Sequence, residues 1–103
     1  MTGDPKHSQD ILQDFLQDTR QDIRLGHADR GFVGKIIRLD ALVMGSSLSP
    51  QELEQRLVEM GFVEGARVEI LHEGTIRRDP IAVRVDNVTI ALRRSEAMAV
   101  IVE

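Results

Sequence analysis

The 103-residue chain has no cysteine, no tryptophan and no tyrosine, and its only aromatic side chains are Phe15, Phe32 and Phe62. Without cysteine it can form no disulfide, no thiolate metal site and no thiol nucleophile, which fits a reducing compartment. Few aromatics weaken two binding classes. Single-strand nucleic-acid sites stack bases on several aromatic platforms, and polyproline grooves are lined by them. No apolar run approaches the roughly 20 residues that span a bilayer. The N-terminal MTGDPKHSQD lacks the apolar core of a secretory signal, so a cytoplasmic protein is expected. A surplus of positive charge is missing too. The net charge is −4, spread evenly, with 4 basic and 6 acidic residues in 1–30 and 9 and 11 in 31–103. General polyanion binding, nucleic acid included, is therefore not expected.

What is present is one small domain with an N-terminal appendage. In residues 1–24, Ile11, Leu12, Phe15, Leu16 and Ile23 form an apolar stripe at helical spacing, opposite Gln13, Asp14, Gln17, Asp18, Gln21 and Asp22. This predicts an amphipathic helix over 8–23 that lies on the domain or docks on a second copy or another protein. Its polar face is acidic, whereas a membrane-surface helix carries Lys and Arg.

From residue 25 the chain becomes strand-like. GKIIRLD (34–40) reads as a first strand, followed by a loop over 43–49. Ser49-Pro50-Gln51-Glu52 has the capping-box pattern, with a Ser N-cap, Pro at N1 and Glu at N3. The helix it starts has Leu53, Leu57 and Met60 as its buried stripe, with Val58 beside them, and Gly61 suits a left-handed stop. Residues 66–73 alternate as a half-buried strand, and 74–79 form a loop ended by Pro80. Residues 81–93 read as a hairpin turning at Asp86-Asn87, with Ile81, Val83 and Val85 facing Leu92, Ile90 and Val88. A turn at 95–97 leads to a last strand, 98–103.

The order β-α-β-β-β-β fits a mainly β fold, a small SH3-like, partly open barrel with the helix plugging one side. Leu53, Leu57, Val68, Ile70, Val83, Val85, Ile90, Leu92 and Ile101 are its expected core.

No P-loop, dinucleotide fingerprint, nucleophile elbow or metalloprotease helix occurs, so no enzyme is expected. His72-Glu73 is the only adjacent pair of metal-ligand type. Successive strand residues point to opposite faces, so two such side chains do not readily converge on one ion. Arg67, Arg84 and Arg93 share an outward face in the hairpin register, interrupted by Glu69. The link Gly61-Phe62-Val63-Glu64-Gly65 is unusually apolar for a tight corner. Its Phe62 and Val63, with Leu57 and Met60, serve either the core or a partner. Arg77 and Arg78 lie on the loop before Pro80.

These residues also carry a family resemblance. The run RLVEMGFVEGARVEIL (56–71), the DPI entry at 79–81 and ALRRSEA (91–97) strongly resemble the FeoA family of bacterial ferrous-iron uptake. Leu25, Ala28, Gly31, Gly34 and Ile36 extend the match upstream, with Ala28 where the family has Leu. The resemblance covers roughly 25–103. It implies an SH3-like fold and an accessory role beside FeoB, the membrane Fe(II) transporter with a cytosolic GTPase domain. It also implies that a divalent transition-metal ion could serve as a cue. The departures are the 24-residue N-terminal extension and Arg78 before the Asp-Pro, where the family often has an apolar residue or Gly. A similar domain closes iron-dependent repressors of the DtxR type, so a metal-responsive regulatory module is the alternative. A third reading has Arg77 or Arg78 supplied in trans to a GTPase, where an arginine stabilises phosphoryl-transfer charge.

Overall fold

A computed structural model of the chain describes residues 23–43 and 45–103. Six strands form one antiparallel sheet: β1 (Ile23–Arg24), β2 (Val33–Leu39), β3 (Arg67–Glu73), β4 (Ile81–Val85), β5 (Val88–Leu92) and β6 (Val100–Val102). Their spatial order is β1-β6-β2-β3-β4-β5, so the sheet is open, with β1 and β5 as its edges. Helix α1 (Pro50–Glu59) links β2 to β3, and the short α2 (Arg94–Ala97) links β5 to β6. A 3-10 turn spans Leu25–His27. The fold is thus mainly β with one substantial helix, as expected.

Strand β2 lies between β3 and β6 and pairs with both. Val33, Gly34 and Lys35 pair with Glu69, Val68 and Arg67 of β3. On its other side, Ile36, Arg38 and Leu39 pair with Val102, Ile101 and Val100 of β6, with a register shift between Ile36 and Arg38. A bulge of this kind adds local twist and turns a flat sheet toward a barrel. Gly34 sits at the crossing, where a Cβ would lie 2.3 Å from the Glu103 carbonyl oxygen and 2.7 Å from the Phe32 ring. Only glycine fits there.

The hairpin has the expected register. Ile81, Val83 and Val85 face Leu92, Ile90 and Val88, and Asp86 turns the chain at φ 53°, a left-handed conformation that Asp adopts more readily than most residues. Val88 is 57% exposed and Ile90 only half-buried, because β5 is an edge strand. Ile90 is therefore a rim residue and not the core residue expected.

The Ser49 hydroxyl accepts from the Glu52 N–H at 3.2 Å, and so caps α1. Leu53 and Leu57 enter the core fully buried, Met60 is half-buried, and Val58 is 45% exposed. Val58 thus lies outside the buried stripe.

Two further differences concern the chain ends of elements. The predicted N-terminal helix falls on residues outside those described, apart from Ile23, which pairs with Val102 as the start of β1. Arg24 anchors that strand by donating to the Met98 carbonyl at 2.8 Å and to Asp40 at 3.0 Å. The turn expected at 95–97 is α2, whose first turn is fixed by Glu96 accepting the Arg93 N–H at 3.1 Å.

Candidate partner-binding surface

The apolar corner after α1 follows from how the helix ends. Met60 is the C-cap that follows Glu59, and Gly61 takes φ 100°. The Gly61 N–H donates to the Val58 carbonyl at 3.0 Å, and the Phe62 N–H to the Leu57 carbonyl at 2.9 Å. This double closure is a Schellman motif, which commonly brings an apolar contact between the two residues joined by the longer bond. Those residues are Leu57 and Phe62, both with zero exposure. They belong to the core, so neither offers a side chain to a partner; that part of the expected contact set is corrected. Val63 is 44% exposed, beside exposed Val58 and half-buried Met60. The corner is also held from behind, where the Gly65 N–H donates to the Ile36 carbonyl at 2.8 Å. An apolar patch therefore stands on a braced turn.

The second feature lies where the 74–80 loop meets α2. Arg94 is its centre. Its guanidinium donates to the carbonyls of Arg78 (2.7 Å), Gly26 (3.0 Å) and Ala28 (2.7 Å), and to Glu73 Oε2 (2.9 Å). Its backbone N–H donates to Asp79 Oδ1 at 2.9 Å. One side chain thereby ties the chain after β1, the end of β3, the loop and α2. A planar fork with five donors suits this task, and an ammonium could not make all four bonds at once.

Arg78 joins the same network, donating from Nε to Glu73 Oε2 at 2.9 Å and from Nη2 to Asp29. The Arg78 hydrogen bond, followed by the nearby positive charges, holds the Glu73 carboxyl below its ordinary range. The reciprocal bond from Glu73 raises the Arg78 pKa. Arg78 is therefore engaged within the chain, and acting in trans would require it to leave these partners.

The same contacts decide the metal question. His72 is exposed and Glu73 lies next to it on β3, opposite Ala82 and Ile81 respectively. Two guanidinium groups already share Glu73 Oε2. No group of three or more His, Cys, Asp or Glu that could hold an ion occurs among the described residues. This donor set does not fit a metal.

Arg77 behaves differently. It is exposed and makes no side-chain hydrogen bond or ion pair among the described residues. With Ile76, Asp79, Pro80 and Arg93 it lines a cleft of about 470 Å³. Arg93 caps α2 beyond the end of β5, so it does not share the sheet face with Arg67 and Arg84. On that face Arg84 lies opposite Glu69, which Arg67 approaches at 3.6 Å. Glu69 thus offsets part of the positive charge on that face.

The sequence shows Arg93-Arg94 only as two adjacent basic residues and carries no signal for the role of Arg94. Its partners Gly26 and Ala28 are 68 and 66 residues away, and no local pattern reports them. Among the described residues, no helix is long and apolar enough to cross a membrane.

Comparison with known proteins places this architecture. A search of curated protein sequences finds no significant match. Among solved structures, FeoA of Stenotrophomonas maltophilia in complex with zinc, a prokaryotic SH3-domain protein, is 27% identical. It matches over 79% of this chain and 89% of its own, with a TM-score of 0.63. Iron(II) transport protein A of Clostridium thermocellum is 36% identical over 79% of this chain and 44% of its own, with a TM-score of 0.63. A manganese-dependent transcriptional repressor bound to manganese, 22% identical, matches 80% of this chain and 36% of its own with a TM-score of 0.63, a likeness of fold alone. The FeoA domain model matches residues 23–103, and the chain belongs to the FeoA family.

Proposed function

We propose that this protein is a non-catalytic, cytoplasmic accessory of bacterial ferrous-iron uptake that binds the cytosolic region of a FeoB-type transporter. Its membership of the FeoA family over 23–103 carries the reading. The braced corner after α1 supports a contact there. Val58 and Val63 are each close to half exposed, although Leu57 and Phe62 between them are fully buried. A patch held on a Schellman turn loses little entropy on docking, because its backbone is already fixed.

The direct test is a pull-down of the folded chain with the cytosolic region of FeoB, with and without a GTP analogue. Binding is expected in at least one nucleotide condition, and binding in neither removes the reading. Val63→Asp should abolish retention while leaving the fold intact, since the side chain already meets solvent. Full retention by that variant would move the interface away from the corner.

A further inference from the structure

The cleft between the 74–80 loop and α2 is not explained by the corner. Its walls combine Ile76, 77% exposed, and Pro80 with the guanidinium groups of Arg77 and Arg93. Neither arginine has an ion-pair partner among the described residues. The one acid in the cleft, Asp79, spends Oδ1 on the Arg94 N–H. A ligand for this cleft therefore needs carboxylates next to apolar side chains.

The chain itself contains such a segment. Residues 9–22 repeat Gln-Asp every four residues (9–10, 13–14, 17–18 and 21–22), with Ile11-Leu12 and Phe15-Leu16 between. Four Asp stand against one base, Arg20. Wound as a helix, aspartates four apart share a face and repel, by about 0.2–0.5 kcal/mol per pair. A helix of this length is also marginal alone. It needs an apolar cover on one side and cations on the other. The cleft supplies both.

The tether permits it. Residue 22 leads directly into β1, and Gly26 and His27 line a hollow together with Arg77, Arg78 and Arg94. A short tether also gives a high effective concentration, of order mM. We propose that residues 9–22 of this same chain dock in the cleft, pairing their aspartates with Arg77 and Arg93 and covering Ile76. The extension is then an internal cover for a cationic surface, which any acidic partner of that surface must displace. This goes beyond transporter binding at the corner and does not depend on it.

The chain has no cysteine, so a nitroxide attached through Thr19→Cys is unambiguous and keeps every aspartate. In the full-length ¹⁵N-labelled protein, the amides of Ile76, Arg77 and Arg93 should lose most of their intensity against the reduced label. The loss should disappear in the Arg77→Glu/Arg93→Glu double variant. It should also disappear near 1 M salt, where screening acts within about 3 Å, an arm that needs no substitution in the cleft. Mixing spin-labelled ¹⁴N chain with unlabelled ¹⁵N chain should leave the amides unaffected. Undiminished intensity in the labelled protein, loss that survives both charge reversal and salt, or loss in the mixed sample would each overturn the proposal. The last would assign the cleft to a second copy.

Discussion

Replacing Arg94 should be far more damaging than replacing its neighbour Arg93, although both read as one exposed basic pair. The Arg94 side chain is only 16% exposed. It donates four hydrogen bonds, three to backbone carbonyls and one to Glu73. Single hydrogen bonds contribute about 1 kcal/mol net, so four set a scale of about 4 kcal/mol. Two effects reduce it. Carbonyls beside the hollow can rehydrate, and the chain no longer freezes a long side chain. Arg94→Met should therefore lose about 2–4 kcal/mol, a large share of the 5–15 kcal/mol that holds a typical domain together. Arg94→Lys keeps the charge but not the fork, and should recover about half of the loss. Arg93→Met should stay within about 0.5 kcal/mol. Urea denaturation followed by circular dichroism reads the three variants, with the slope unchanged and only the midpoint moved. The corresponding fall in Tm for Arg94→Met is about 10–20 °C for a domain of this size. A loss for Arg94→Met no larger than that for Arg93→Met would refute the view that Arg94 ties these segments together.

The corner gives a second contrast within two adjacent residues. Phe62→Ala should cost about 3–5 kcal/mol, as for other buried phenylalanines, and Val63→Ala less than about 1 kcal/mol; equal losses in thermal denaturation would contradict the Schellman assignment. The acid response forms the third prediction. The Arg78 hydrogen bond lowers Glu73 from its ordinary value of 4.5, and the Arg24 hydrogen bond, then the Leu42 N–H, lowers Asp40 from 3.8. The unfolded chain thus binds more protons in that range, so the stability these groups supply is full near neutral pH. It is lost as the pH falls below those ordinary values toward the lowered ones. Arg78→Met should flatten the Glu73 part of this fall in a pH series of urea midpoints, and an unchanged acid profile would count against the Arg78–Glu73 pair.

The elements legible in the sequence were those whose signals are local. The α1 start was written in four consecutive residues, and the hairpin register followed from two turn residues between alternating strands. Gly61 marked the stop, and Leu57 and Phe62, five apart, already had the spacing of a Schellman contact. What stayed hidden depended on distant partners. Nothing near Ile23 says that two residues will pair with the last strand, and nothing near Ile36 says that β2 will lie between β3 and β6. Arg77, Arg78, Arg93 and Arg94 look alike as residue types. Tertiary structure assigns two of them to an internal network and two to the cleft. His72-Glu73 failed as a metal pair for the same reason, because the arginines that occupy Glu73 come from the loop and α2.

The backbone of the loop separates the two arginines further. Arg77 and Arg78 take φ values of 57° and 59°, in the left-handed region that costs an L-residue roughly 1–2 kcal/mol each. Arg78 has compensation at hand, because its guanidinium meets Glu73 and Asp29 while its carbonyl accepts from Arg94. Arg77 bears the same strain with no side-chain hydrogen bond or ion pair among the described residues to offset it. Its neighbour Arg78 is fixed by these bonds, while Arg77 stands exposed on the same loop. The consequence is functional. A cation on a loose loop loses entropy when it pairs, whereas one held outward by a braced backbone has lost much of that entropy on folding. The Arg94 network thus does more than join segments. It presets the cationic wall on which the acidic N-terminal segment is proposed to close.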